Sequence, residues 1–206
     1  MILQIDLAPE TYDFSFTAAS LRLSEMRSVA IQLASTLPFD FGTQLGNGKA
    51  ATGKRMFFEY SKRLNTLNPS ELDILINGDL ISQKQIAFVS VCRSYAFIRD
   101  FVLEVIREKF LMFDYQIIDR DYTIFFKNKL ELHPELEQIT ENTTSKIKQV
   151  TFKILEQADI IDNIKGRNIQ IQLIEDKTIK AIAVSGKEWL RVLLMTDTDI
   201  QNISNP

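Results

Sequence analysis

The run Gly48-Lys49-Ala50-Ala51-Thr52-Gly53-Lys54-Arg55 is the stretch whose residue types and spacing come nearest to a chemical motif. Its two glycines and Lys54 stand at the spacing of a nucleotide phosphate loop, in which backbone N–H groups cradle phosphates and the lysine reaches between them. The pattern fails twice: Arg55 stands where a Ser or Thr hydroxyl would hold magnesium, and the preceding residues 39–45 do not read as a buried parallel strand. What remains is a turn followed by a basic helix start. Lys49, Thr52, Lys54 and Arg55 are candidates for phosphate contacts there, because a helix N-terminus favours anions. Lys62 and Arg63 continue the basic side of the same helix. A solvated basic face accounts for these residues equally well.

A second candidate surface lies later in the chain. A helix over 143–158 places Ile147, Val150, Ile154, Leu155 and Ala158 on one stripe. Opposite that stripe the spacing puts Thr144, Ser145, Lys148, Gln149 and Phe152. Hydroxyl, amide and ammonium groups at the start of a recognition helix suit contacts to base edges and backbone. Lys165 and Arg167 fall at the tip of a proposed turn, within reach of a flanking phosphate. Residues 143–167 carry five Lys/Arg against three Asp/Glu, a local excess of positive charge in a chain of net charge −3. The alternative is an amphipathic helix facing solvent beside an ordinary hairpin.

No catalytic set emerges. His133 precedes Pro134 and reads as a helix-end residue with no triad to join. Cys92 reads as a small core residue. Asp119 with Asp121, and Asp197 with Asp199, are the closest carboxylate pairs, and each sits where Asp is expected to cap a helix. Arg93, Arg99 and Arg107 lie on the most apolar stretch, so they are expected to be paired inside the fold, Arg107 with Glu104. One cysteine and one histidine rule out a disulfide and a Cys/His metal cluster. No enzyme, cofactor, metal or small-molecule substrate is therefore expected.

Composition sets the frame for these surfaces. Apolar residues make up 45% and charged residues 25%, an ordinary globular mixture in a chain of 206 residues. The sequence pI of about 5.3 excludes a globally basic nucleic-acid binder but not a local basic patch. Residues 1–10 carry Asp6 and Glu10 without a basic start, so they do not read as a signal peptide. The apolar run 86–113 is broken by seven charged side chains, which argues against a membrane span and for a cytoplasmic protein.

The elements that must position the candidate residues follow from periodicity. Residues 21–37 predict a helix, with Leu21, Met26, Val29, Ala30, Leu33 and Leu37 inward and Pro38 as its stop. A short helix over 39–45, a Gly46-Asn47-Gly48 turn and a helix over 51–64 give a helix-turn-helix-like order. Asn68-Pro69-Ser70-Glu71 is a capped helix start, and that helix ends at Asn77-Gly78. Ser82 and Gln85 suggest a capping box for a buried central helix reaching Phe113. A helix over 121–132, a turn of helix over 134–139 and the helix 143–158 come next. Then Ile169, Ile171 and Leu173 alternate with Gln170 and Gln172, predicting a strand that pairs with Ile160-Ile161 across the turn 163–166. Residues after Glu175 read as helix to Val184, and 189–195 fit helix or strand. The expected fold is mainly α: a helix-turn-helix-like N-terminal lobe over 1–115 and a winged-helix-like C-terminal lobe over 116–206 carrying a small β-ribbon, the two sharing one core.

Several blocks resemble one family. Phe16-Thr17-Ala18-Ala19-Ser20-Leu21 followed by Glu25 is similar to the opening motif of the BrxA family of bacteriophage-exclusion (BREX) defence systems. Cys92-Arg93-Ser94-Tyr95-Ala96-Phe97-Ile98-Arg99-Asp100-Phe101, continued by Glu104-Val105-Ile106-Arg107-Glu108-Lys109-Phe110, resembles its most distinctive block. His133-Pro134-Glu135-Leu136 and residues 143–150 resemble later motifs, and the resemblance covers about residues 12–173. It implies a small accessory component of phage defence, in systems that also contain a large ATPase, a DNA methyltransferase and an alkaline-phosphatase-like protein. The family has been described as membrane-associated, as similar to an RNA-binding antitermination factor, and as DNA-binding; no catalytic residues carry over. The expected partner is double-stranded DNA, held mainly through backbone phosphates. A scaffold for other BREX proteins, or RNA binding, is the alternative.

Overall fold

Local chemistry fixes several helix starts. A computed structural model describes residues 10–35 and 39–203, and these are mainly helical with almost no strand. A 3-10 turn, Ser15–Ala18, leads into α1 (Leu23–Leu33). This helix begins later than its periodicity predicts because Arg22 adopts a left-handed φ of 42°, which turns Leu21 into the core from outside the helix. Leu33, predicted inward, is half exposed. The predicted end at Leu37 and the stop at Pro38 lie outside the described residues.

Next comes α2 (Phe41–Gln44), capped by the Asp40 carboxylate, which accepts from the Gly42 and Thr43 N–H groups. After α3 (Ala50–Leu64), the predicted cap of α4 (Pro69–Asn77) is reciprocal: Asn68 accepts from the Glu71 N–H at 3.0 Å, and Glu71 accepts from the Asn68 N–H at 2.9 Å. The same Glu71 takes both Arg93 amino groups at 2.7 and 2.8 Å, while the Trp189 ring covers the guanidinium at 5.2 Å. One buried carboxylate thus caps a helix and neutralises a buried cation.

The central helix departs from its sequence reading. α5 (Leu80–Ser94) is capped by Asp79, which accepts from Ile81 and Ser82 N–H at 3.0 Å, and not by a Ser82–Gln85 box. Both side chains are taken by the C-terminal segment: Ser82 accepts from the Thr178 hydroxyl and Gln85 donates to the Leu173 carbonyl. The predicted continuous helix to Phe113 breaks at Tyr95, whose backbone is extended (φ −136°, ψ 99°). It resumes as α6 (Ala96–Phe101), passes through a π-helical turn, Val102–Ile106, and ends as α7 (Arg107–Leu111). The break sends the Tyr95 ring into the core, 5.4 Å from Phe16.

The chain continues through α8 (Asp119–Leu130), a 3-10 turn Pro134–Leu136, and α9 (Glu141–Gln157), whose Thr140 cap accepts from the Thr143 N–H. Beyond it lie α10 (Asp176–Val184), a 3-10 turn Lys187–Leu193 covering most of the ambiguous stretch, and α11 (Asp197–Asn202). Where a ribbon was expected, the described residues hold two isolated antiparallel bridges, Ile161 with Ile169 and Gln116 with Asn168. Pairing stops at Gln170, whose N–H meets the Ile160 carbonyl at 2.9 Å. Of the three alternating apolar residues only Ile169 is buried; Ile171 and Leu173 face solvent.

One apolar cluster runs through both halves of the chain, with α5 at its centre against α3, α4 and the Lys187–Leu193 turn. Aromatic edges join the halves: Phe97 meets Tyr12 and Phe125, and Phe101 meets Tyr122 and Phe152. Arg107 does not pair with Glu104. It donates to the Met195 carbonyl and to Asp197, both at 3.0 Å, tying α7 to the C-terminal turn, and Glu104 takes Lys129 instead. Among the described residues, no helix is long and apolar enough to cross a membrane.

Candidate nucleic-acid interface

The phosphate-loop-like run owes its glycines to packing. A Cβ on Gly53 would fall 1.8 Å from the Phe41 carbonyl oxygen, so only glycine lets α2 lie against α3. Gly48 holds a left-handed φ of 86° in the turn between them. The N–H groups of Gly46, Gly48, Lys49 and Gly53 all donate to carbonyls within this corner and are not aimed at a ligand. Lys49, Thr52, Lys54 and Arg55 nevertheless project outward at the start of α3. Lys54 lies 5.8 Å above the exposed Phe58 ring. Lys62 is also exposed, pairs with Asp13 and covers the Tyr95 ring.

Arg63 is not part of this surface. It is fully buried, donating to the Ala19 and Ser20 carbonyls and to the Tyr95 hydroxyl, with the Tyr60 and Tyr95 rings within 5.4 Å. Desolvation pulls its pKa down to about 10, which still leaves it charged at neutral pH. Its hydrogen-bond acceptors are all neutral. Its position one residue past Lys62 turns it to the inward face of α3, where it anchors the chain leading into α1.

On α9 the predicted core stripe is buried as read, but Phe152 is buried too, at 1% exposure. It packs against Phe101 and Tyr122 at 5.9 and 5.7 Å. The helix therefore presents a narrower outward stripe of Ser145, Lys146, Gln149 and Lys153. That stripe borders a groove of 460 Å³ shared with Thr17, Ser20, Arg22 and Ile164. Lys146, Lys153 and Arg22 were not singled out from sequence; placing Phe152 inward on the same helical wheel would have exposed the first two. Arg22 joins the groove only through the fold, and it pairs with Glu25. Thr144 is half-buried, its hydroxyl spent on the Thr140 carbonyl.

The remaining predicted cations meet an acid. Lys148 and Arg167 both donate to Oδ1 of Asp119 at 2.7 Å. Arg167 also stacks on Phe152 at 4.2 Å and donates to the Ile164 carbonyl; Lys148 lies over the Tyr122 ring. These two cations hold the Asp119 carboxyl down at about 2. Lys165 stands exposed at the turn with no ion pair among the described residues. Both α3 and α9 pack on the Ser15–Ala18 turn, so the two basic helices flank one segment of chain.

The other residues weighed for chemistry are buried or partnered within the fold. Cys92 is wholly buried, which pushes its thiol pKa up. His133 stacks on Tyr12 at 3.7 Å, with Nδ1 3.1 Å from Glu135. Asp121 caps α8 by accepting from the Ile118 N–H at 2.9 Å. Asp197 pairs with Arg107 and Arg191, and Asp199 accepts from the Thr196 hydroxyl.

Three comparisons place this arrangement among known proteins. The family model for BrxA matches residues 10–186, which take in both basic helices. The BREX protein BrxA of Bacillus cereus (strain H3081.97) is 30% identical over 125 residues, 60% of this chain and 62% of that relative. The matched stretch thus spans less than two thirds of that relative's length. The BREX protein BrxA of Escherichia coli O9:H4 (strain HS) is 24% identical over 143 residues, 69% of this chain and 67% of that one. An uncharacterized protein from Magnetospirillum magneticum, known from its crystal structure, shares the fold with a TM-score of 0.76 at 18% identity, over 90% of this chain and 99% of that chain. With a family model matched across most of its length, the chain belongs to the BrxA family.

Proposed function

We propose that this chain is a cytoplasmic, non-enzymatic accessory component of BREX phage defence that binds double-stranded DNA, mainly through backbone phosphates. Membership of the BrxA family carries the defence role. The DNA reading rests on one observation: two helices that carry exposed basic side chains both pack on a single segment in a chain of net charge −3. Phosphate contacts need local positive charge and tolerate an acidic remainder. The contacting groups are Lys49, Thr52, Lys54, Arg55 and Lys62 on the first face. Ser145, Lys146, Gln149, Lys153 and Lys165 serve the second, with Arg22 at its edge.

Topology supports a winged-helix reading of the C-terminal half. Segment 115–117 bonds to segment 167–170, which also bonds to 160–162. With α8 and α9 between the first and the other two, this is the order strand, helix, helix, wing. In this reading α9 is the recognition helix and Lys165 tips a short wing.

The test is fluorescence anisotropy with labelled duplex DNA and single-stranded RNA across a salt series. Duplex binding that weakens steeply with salt, and that the combined substitutions Lys54→Glu, Arg55→Glu, Lys146→Glu and Lys165→Glu abolish, is the expected result. Preference for the RNA would move the reading to RNA. Binding that survives those substitutions would place the interface elsewhere. A second reading, a scaffold for other BREX proteins, draws on a different surface: Met112, Phe113, Tyr115, Ile171 and Leu173 are exposed on neighbouring segments. Co-purification with those proteins without nucleic-acid binding would favour it.

A further inference from the structure

Two cations nominated for nucleic-acid contact are already holding an anion. Lys148 Nζ and Arg167 Nη1 both lie 2.7 Å from the same atom, Oδ1 of Asp119. Neither cation is loosely placed. The guanidinium stacks 4.2 Å above Phe152 and is tethered through Nε to the Ile164 carbonyl at 2.9 Å; the ammonium lies 5.4 Å from the Tyr122 ring centroid. Phe152 and Tyr122 are themselves core residues. The acid is the most exposed partner of the three: the Asp119 side chain is 72% exposed, against 33% for Lys148 and 17% for Arg167. Two fixed cations converging on one exposed oxygen is the geometry in which lysine and arginine grip a phosphate oxygen.

We infer that Lys148 and Arg167 form a backbone-phosphate subsite of the interface, and that Asp119 occupies it as an internal stand-in for the phosphate when no nucleic acid is bound. This rests on the reading of α9 as a nucleic-acid face. Binding then exchanges one anion for another: the phosphate takes the two cations and the carboxylate swings into solvent. Because the cations were neutralised beforehand, the exchange releases fewer counterions than a bare pair would. Asp119 thereby lowers affinity for any duplex and flattens its salt dependence, a brake on unspecific binding.

Asp119→Asn tests this on the full chain, by anisotropy with labelled duplex DNA in a salt series. The variant is expected to bind about threefold to tenfold more tightly at low salt, the gain from releasing two exposed ion pairs. Its log–log salt slope should steepen by about 0.9, the share of one phosphate contact. A long-range charge effect would also tighten binding, so the same substitution is repeated in a Lys148→Gln, Arg167→Gln background. The gain disappears there if Asp119 acts through those two cations, and a gain that persists overturns the inference. Lys148→Gln alone, with Arg167 kept, serves where the double background melts at a lower temperature. Wild-type binding unchanged by Asp119→Asn sinks the stand-in and leaves the interface intact; absence of duplex binding by wild type and variant alike removes both.

Discussion

The start of α3 and the outward face of α9 carry similar side chains and differ in what those side chains are doing. On α3, Lys49 and Arg55 project from the first turns without an ion pair among the described residues, and Lys54 lies over the Phe58 ring. On the α9 side, Lys148 and Arg167 are bound to Asp119, Lys153 to Glu156, and Lys146 reaches Gln149. The local excess of positive charge over 143–167 is therefore not all available charge, because Asp119 lies outside that window in sequence and inside it in space. Counting charges along a segment measures composition; the field a phosphate meets depends on which cations are already neutralised.

The largest effect is expected at the one α3 cation that is not on the surface. Arg63→Met should lower stability by about 2–4 kcal/mol, since the Ala19 and Ser20 carbonyls would be left buried without donors. Chemical denaturation measures it, and a loss under about 1 kcal/mol, the usual range of surface substitutions, would return Arg63 to the interface. Next comes the difference between the faces. Lys54→Gln with Arg55→Gln should weaken duplex binding about tenfold or more and reduce the salt slope by nearly two contacts. Lys148→Gln should cost only about twofold, because its charge is already met by Asp119. Equal losses at the two sites would mean the carboxylate does not neutralise its partners in solution.

The smallest expected effect is acid dependence. The Asp119 carboxyl is held down at about 2 by its bonds to Lys148 and Arg167, below its ordinary value in an unfolded chain. A depressed folded value contributes stability that is fully present above about pH 4 and is lost as pH falls towards 2. Thermal melts over that window should show Asp119→Asn losing less stability than wild type as the acid increases. The difference should be small because Asp119 is largely exposed. Identical curves would place the pairing below what solution conditions sustain.

Much of the architecture was legible in the chain. The Asn68-Pro69-Ser70-Glu71 start is capped as its residue types require, the buried stripe of α9 follows its three- and four-residue steps, and the Gly46-Asn47-Gly48 turn stands where it was read. Each of these is local, governed by side chains reaching a backbone one turn away. The failures share another cause. Ser82 and Gln85 have the residue types of a capping box, yet the C-terminal segment competes for them and Asp79 caps instead. Ile171 and Leu173 alternate like a half-buried strand, but among the described residues both stay exposed. Tyr95 carries no breaker signal, and the helix breaks there because its ring fits among Phe16, Lys62 and Arg63.

The candidate interface divides along the same line. Residue order alone determined that two helices would be basic and that the family blocks would fall where they do. That Arg63 turns inward, that Phe152 closes one side of α9 and leaves Lys146 and Lys153 on the groove, and that Asp119 crosses from α8 to hold Lys148 and Arg167 all depend on how separate helices pack. Periodicity reports which face of a helix is apolar, since that depends on neighbours within a turn or two. It carries no information about which distant carboxylate comes within 3 Å, because that distance is set by how separate elements pack.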